Sequence, residues 1–324
     1  MPARCLVRGS INIDEFFHVK DIVRPGETIS SDNLEKRAGG KGANQAVAVA
    51  RAGGIVDLFG AVGKDGLWVR DQLKESGVGV EAVSMVEDST GRAIIQLTEL
   101  GENSIILFKG ANYSSLPSQA IHPDTTHILL QNEIPLASTF EYLAHASSSR
   151  PISAIFNPSP MPTPAELQSF PWSQLTWLIV NSGEASDLCK ALQLNVQDAD
   201  PSASAVEVAK PLLSRLSSHM PTTNVVCTLG ADGVLARFAL LEGSEPVYLS
   251  AAKLQGTTRD TTGAGDCFTG YMVAGLMRLE GRVATAEDYV AVLRRCVQAA
   301  GMCVEKRGAM ESIPVGTDVD ARLA

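Results

Sequence analysis

Short apolar runs recur along the chain and alternate with stretches whose apolar residues are spaced for a helix. The run Cys5–Ile13 predicts a first strand, and Ile55–Val62 a buried one. Between them, Ala43–Arg51 predicts a helix closed by Gly53-Gly54, and Lys64–Ser76 predicts the next. Arg92–Leu100 and Ser104–Lys109 flank Gly101-Glu102-Asn103, the pattern of a hairpin. Strands are expected at His127–Gln131 and Ile152–Asn157, with a helix over Leu136–Ser147 between them. Five prolines between Pro158 and Pro171 exclude a continuous element there. Beyond them the pattern gives strand Trp177–Val180, helix Glu184–Leu192, a polar loop at Asp198–Ser204 and helix Val206–Ser217. Strand Val225–Leu229, the turn Gly230-Ala231-Asp232-Gly233, strand Val234–Phe238 and a β-like run Val247–Leu254 follow. Asp266–Leu279 and Ala286–Val304 predict long helices. This rhythm predicts a doubly wound α/β fold, a mainly parallel sheet with helices on both faces. The β-rich stretches at about 14–38 and 91–112 break the rhythm and predict a small separate β element inserted into the body.

Composition narrows the function. With 324 residues the chain can bury a large core, as one long α/β domain or as two. The net charge of −9, with no basic stripe, argues against nucleic acid or an anionic membrane as partner. No apolar run reaches membrane-spanning length. Met1–Asp14 reads as a strand rather than a signal peptide, so a cytoplasmic location is expected. Six scattered cysteines without a Cys-x-x-Cys fit buried thiols in a reducing compartment. Five histidines without paired spacing give no zinc site.

Three motifs carry chemistry. Asp260-Thr261-Thr262-Gly263-Ala264-Gly265-Asp266 opens a helix with small residues. Helix-start N–H groups there form an anion site, and Asp266 stands beside it, placed to take a proton from an attacking hydroxyl. An ordinary helix entry with a dipole-stabilising Asp is the plainer reading. Gly39-Gly40-Lys41-Gly42-Ala43-Asn44-Gln45-Ala46 puts Lys41 and Asn44 on one helical face, a set suited to a polyol; a glycine-rich entry with a solvated Lys is the alternative. In Gly9-Ser10-Ile11-Asn12-Ile13-Asp14, Asn12 and Asp14 point the same way at a strand end, apt for adjacent sugar hydroxyls or for an Asx turn. The P-loop, the dinucleotide fingerprint and the protein-kinase motifs are absent.

Taken in this order, the three motifs resemble the ribokinase/adenosine-kinase family of carbohydrate kinases. Weaker matches extend over nearly the whole chain: Gly110-Ala111-Asn112, Glu133, Asn157-Pro158, Asn181 with Glu184, Thr228-Leu229-Gly230 and Lys306-Arg307-Gly308-Ala309. The resemblance implies a ribokinase-like single kinase domain over residues 1–324, whose inserted β element is a lid that closes on the sugar and pairs two copies into a homodimer. It implies ATP-dependent phosphorylation of O5 of D-ribose, with magnesium and an activating potassium ion. Another small sugar or a nucleoside, or a non-catalytic sugar sensor, are the alternatives. By the same resemblance Asp266 is the catalytic base and Gly263, Ala264 and Gly265 form the anion hole. Asn12, Asp14, Gly40, Lys41, Asn44 and Glu133 hold the sugar. Asn181, Thr228, Gly230 and Gly265 hold ATP, and Glu184 acts on magnesium indirectly. Asp260, Thr262, Val304, Arg307 and Ser312 surround potassium. Val297, where a polar residue is expected near adenine, and Lys109 depart from the pattern.

Overall fold

A computed structural model of the chain describes residues 2–99, 102–147, 152–196, 200, 202–239 and 245–324. Its first half runs β1 (Arg4–Arg8), β2 (Asn12–Val19), β3 (Asn33–Gly39), α1 (Lys41–Arg51), β4 (Ile55–Val62), α2 (Leu67–Glu75), β5 (Val83–Met85), β6 (Gly91–Thr98) and β7 (Asn103–Phe108). The middle holds β8 (Thr125–Leu130), α3 (Leu136–Ala146), β9 (Ser153–Phe156), α4 (Pro164–Gln168), β10 (Trp177–Asn181), α5 (Ser182–Ala191) and α6 (Ala205–His219). Then come β11 (Asn224–Thr228), β12 (Val234–Arg237), β13 (Val247–Leu249), α7 (Ala264–Arg278), α8 (Ala286–Val304) and α9 (Gly316–Leu323).

The larger sheet has the order β13-β12-β11-β10-β9-β8-β1-β4-β5. It is parallel from β11 through β5, and only β12 and β13 pair antiparallel. Alternate residues of each strand feed opposite faces. Cys5 and Val7 enter a core with Val47, Phe268, Met272 and Leu293, while Leu6 enters another with Leu143, Leu188 and Leu213. Each fully buried Leu, Ile or Val contributes about 1.5–3 kcal/mol, so both faces need helical cover. The doubly wound fold is therefore as the hydrophobic pattern predicts.

A second, four-stranded sheet has the order β3-β2-β6-β7. Its central pair, β2 and β6, is parallel, and its outer pairs are antiparallel. The two β-rich stretches thus meet in one inserted sheet, with a small core of Phe16, Ala93 and Ile95.

Several elements differ from expectation. Cys5–Ile13 is not one strand: β1 stops at Arg8, and β2 starts at Asn12 in the other sheet. The crossing needs Gly9, because a Cβ there would lie 2.7 Å from Gly42 Cα. Asn12 and Asp14 therefore begin a strand of the inserted sheet rather than ending a strand of the body. The run Val247–Leu254 pairs only through Leu249, so Asp260–Asp266 follows an irregular stretch instead of a strand. The segment at Lys64 begins as a 3-10 turn before α2. Elements β5, α4 and α9 were not anticipated. Gly101 of the hairpin loop and Asp198 of the polar loop lie outside the described residues.

Candidate active site

The parallel strands β1, β8, β9, β10 and β11 all end on one side, and the residues after those ends converge there, as ligand sites do in open α/β sheets. Helix α1 starts from Gly40, whose φ of 91° disfavours a side chain and where a Cβ would lie 2.8 Å from Asn12 N. Its free N–H groups are capped from a distance: Lys41 N donates to Glu133 Oε2 (3.0 Å) and Gly42 N to Ser10 Oγ (3.2 Å). Ser10 Oγ in turn donates to Glu133 Oε2 at 2.6 Å. Glu133 thus holds the glycine-rich motif and the first crossover together, with one of its oxygens committed to that task.

Helix α7 starts from Gly263, left-handed at φ 78°, where a Cβ would lie 2.7 Å from Ala309 Cα. Cys267 N makes the bond to Gly263 O (2.8 Å), so the N–H groups of Ala264, Gly265 and Asp266 precede the regular helix ladder. A Cβ on Gly265 would meet nothing within 4 Å, so open space faces this helix start. The positive end of α7 and its leading N–H groups suit a phosphoryl group.

Asp266 sits on the first turn of α7 and is 7% exposed. Its Oδ2 accepts from Asn44 Nδ2 (3.1 Å) and its Oδ1 from Gln45 Nε2 (2.9 Å). Burial alone would lower the Lys41 pKa, but the carboxylates of Asp266, Glu133 and Glu184 outweigh it and raise it, so Lys41 stays charged. Asn44 Oδ1 is buried without a partner and is free to accept a ligand hydroxyl.

On the inserted sheet, Asn12 Oδ1 accepts from Asn112 Nδ2 (2.7 Å), and Asn112 Oδ1 accepts from Ile11 N (2.8 Å). Asp14 lies opposite Arg37 in the β2–β3 register. A Cβ on Gly39 would sit 2.1 Å from the Asp14 carboxylate, so that glycine makes its room. Burial, then the charges of Glu133, Glu311 and Asp266, push the Asp14 pKa up to about 7, with Arg37 opposing them.

A cavity of about 280 Å³ joins this chemistry to the far strands, lined by Lys41, Gly263, Gly265 and Asp266 on one side and Asn181, Glu184, Thr228 and Gly230 on the other. Larger depressions beside α4 and α5 (about 530 Å³) and on the inserted sheet (about 440 Å³) contain none of these groups. Asn181 and Glu184 cap α5 reciprocally, Glu184 N to Asn181 Oδ1 at 2.8 Å and Asn181 N to Glu184 Oε2 at 2.9 Å. Thr228 Oγ1 approaches Val180 O at 3.5 Å. Val297 is partly buried against the larger core, and Lys109 lies 4.3 Å above the Tyr113 ring.

Asp260, Thr262, Val304 and Ser312 gather behind the start of α7. Asp260 accepts from Thr262 N and Gly308 N, both at 2.9 Å. The Val304 carbonyl already accepts from Arg259 N (2.8 Å) and Asp260 N (3.4 Å), and Ser312 Oγ donates to Ala309 O (2.8 Å). Arg307 is exposed beside them. Among the described residues no cluster of three or more His, Cys, Asp or Glu could hold a metal ion.

Sequence patterning assigns no role to Ser10, Gln45, Asn112 or Gln131, although Ser10, Gln45 and Asn112 lie inside its motifs. Their long-range contacts span 86 to 221 residues, and local patterning carries no trace of them.

A doubly wound body, an inserted β sheet and a carboxylate at a helix-start anion site define a carbohydrate phosphotransferase of the kind the motifs resemble. The family profile of pfkB family carbohydrate kinases matches residues 2–315, and the chain belongs to that family. The chain is 32% identical to the ribokinase of Schizosaccharomyces pombe, covering 97% of this chain and 96% of that one. It is 30% identical to the ribokinase of Haemophilus influenzae, covering 95% and 94%. Among solved structures, the ribokinase of Cryptococcus neoformans in complex with ADP superposes with a TM-score of 0.87 at 51% identity, over 99% of each chain. The Arabidopsis thaliana ribokinase complexed with ribose and ATP superposes with a TM-score of 0.82 at 27% identity, over 100% and 99%.

Proposed function

We propose that this chain transfers the γ-phosphoryl group of ATP to O5 of D-ribose, giving ribose 5-phosphate and ADP. The observation that carries the reading is Asp266, buried at the mouth of the α7 anion site with sugar-type amides and Lys41 beside it. Relatives named ribokinase along the full length of the chain support the choice of sugar.

The sugar lies between the inserted sheet and α1, held by Asn12, Asp14, Gly40, Lys41, Asn44 and Glu133. Asp266 accepts the O5 proton as O5 bonds to the γ-phosphorus and the bond to the β–γ bridging oxygen breaks. The N–H groups of Gly263, Ala264 and Gly265 meet the charge on the transferred group. Asn181, Thr228, Gly230 and Gly265 hold the nucleotide. Glu184, an anion at the cavity rim, suits water-mediated contact with the magnesium that neutralises the phosphates when ATP is bound. Asp260 with neighbouring carbonyls offers hard oxygen donors that fit a monovalent cation, with Thr262, Val304, Arg307 and Ser312 around it and Val304 the most committed elsewhere; potassium there would firm the α7 entry.

The reading takes residues 1–324 as one kinase domain with the lid at 14–38 and 91–112. Ile105, Ile106, Leu107 and Phe108 on β7 are about half exposed, an apolar edge that supports a homodimer through the lid. No helix of the described residues is long and apolar enough to cross a membrane. The six free, buried cysteines fit the reducing cytoplasm.

ADP release with ribose, 2-deoxyribose, fructose, adenosine and pseudouridine, with and without potassium, tests this. Ribose is expected to give the highest kcat/KM, and potassium to raise it. Preference for a nucleoside overturns the substrate, and no turnover on any of them supports a sensor. Asp266→Asn should lower kcat roughly 10²–10⁴-fold with an unchanged melting profile.

A further inference from the structure

Behind Asp266 lies a chain of buried amides to which the mechanism above gives no part. Gln45, 0% exposed, donates through Nε2 to Asp266 Oδ1 (2.9 Å) and to Asn157 Oδ1 (3.2 Å). Its Oε1 accepts from Gln131 Nε2 at 2.6 Å, and Gln131 is also 0% exposed. Asn157 donates through Nδ2 to the Ile179 carbonyl at 2.9 Å.

The direction of this chain is determined. A backbone carbonyl only accepts, so Asn157 must turn Nδ2 to Ile179 and Oδ1 to Gln45. Gln45 must then turn Nε2 to Asn157 and Asp266. The opposite amide orientation would set Oε1 against two acceptors and Nε2 against the Gln131 donor, at a residue that is fully buried. One carboxylate oxygen is thereby tied to the interior. The other, Oδ2, has Asn44 as its donor, and Asn44 carries the unpartnered carbonyl oxygen available to a ligand.

We infer that Gln45, oriented by Gln131 and Asn157, is a positioning residue that fixes the rotation of the Asp266 carboxylate and leaves Oδ2 as the oxygen that takes the hydroxyl proton. The inference rests on the reading of Asp266 as the base. Charged or titratable groups that act in the same neighbourhood are Lys41 on α1, Asp14 on β2, Cys267 on α7 and Cys303 on α8. None of them donates to Oδ1 in place of Gln45.

The test compares kcat, both KM values, the pH profile of kcat and thermal melting for four variants of the full chain. Gln45→Met should lower kcat about 10–100-fold, the scale of a misplaced reacting group, with both KM values within about threefold of the parent. Gln131→Met touches neither substrate nor Asp266, and should lower kcat in the same pattern to a smaller degree. Gln45→Glu, nearly isosteric, sets a second carboxyl against Asp266. The pair then shares a proton, and the acidic limb of kcat should move up by about one pH unit or more, with activity returning toward alkaline pH. Gln45→Glu carries the test if Gln45→Met fails to fold. A native kcat in folded Gln45→Met, or a native acidic limb in Gln45→Glu, overturns the inference while inactive Asp266→Asn leaves the base in place. Near-native turnover in Asp266→Asn overturns the base itself.

Discussion

Asp14 shows how one residue sets conflicting demands. In the proposed sugar site it accepts a hydroxyl most strongly when ionised, yet burial and three neighbouring carboxylates raise its pKa to about 7. Sugar KM should therefore rise as pH falls below about 7, measured as initial rates across pH 5.5–8.5. Stability runs the other way. The folded state holds the Asp14 proton more tightly than the unfolded chain, whose Asp ionises near pH ~4. Ionisation then penalises the folded state progressively as pH rises from about 4 to about 7, and fully above that. Asp14→Asn should accordingly melt about 2 °C or more above the parent at pH 8 without ligand, the gap closing toward pH ~4, while sugar affinity is lost. Arg37 opposes the upward shift, so Arg37→Met should carry the midpoint of the KM profile about 0.5–1 pH unit higher. Residues whose chemistry follows from local spacing were legible: Lys41 and Asn44 on one helical face, Asp266 on a first turn. Gln131 and Ser10 were not, because their roles exist only once β8, α1 and the first crossover are packed together.

Among elements, the start of α7 depends on backbone more than on side chains. Gly263→Ala would force a Cβ into Ala309 at a left-handed residue. The expected outcome is a loss of kcat of about 10²-fold or more together with a lowered melting temperature, since the anion hole and the packing beneath it shift jointly. The outer strand of the lid is the other exposed element. Leu107→Lys should shift a dimer to monomer in size-exclusion chromatography with light scattering while the body keeps its melting behaviour, because Leu107 lies outside both large cores. Element boundaries were readable where apolar runs were long and bounded, as in β4 and α8, which match the pattern end to end. Elsewhere periodicity was silent. Nothing in Cys5–Ile13 marks a change of sheet at Gly9, since both halves are apolar and extended, and only the approach of Gly42 requires the break. Three-residue β5 and polar α9 carry too few core positions to register.

At the scale of the molecule, two layers of different strength meet at the site. The body has two extensive cores, whereas the lid sheet's own core is three buried apolar residues and one partly buried neighbour, Ile13 and Ala38 of its strands joining the larger body core instead. Hydrogen exchange should therefore be faster in β2, β3, β6 and β7 than in β1, β8 and β10, and ribose with a non-hydrolysable ATP analogue should slow it selectively in the lid. The net charge of −9 is compatible with the proposed phosphate site because helix-start N–H groups supply local positive potential. The lid's strand order has an evolutionary consequence. Its central pair, β2 and β6, comes from segments about seventy residues apart, and Asn12 stands directly opposite Gly91. A side chain at Gly91 would strike the Asn12–Asn112 pair at 2.1–2.4 Å. A single recombination event that imported one half of this sheet from a relative would therefore risk mismatched partners beside the proposed sugar pocket, so a graft of the two inserts should carry both together.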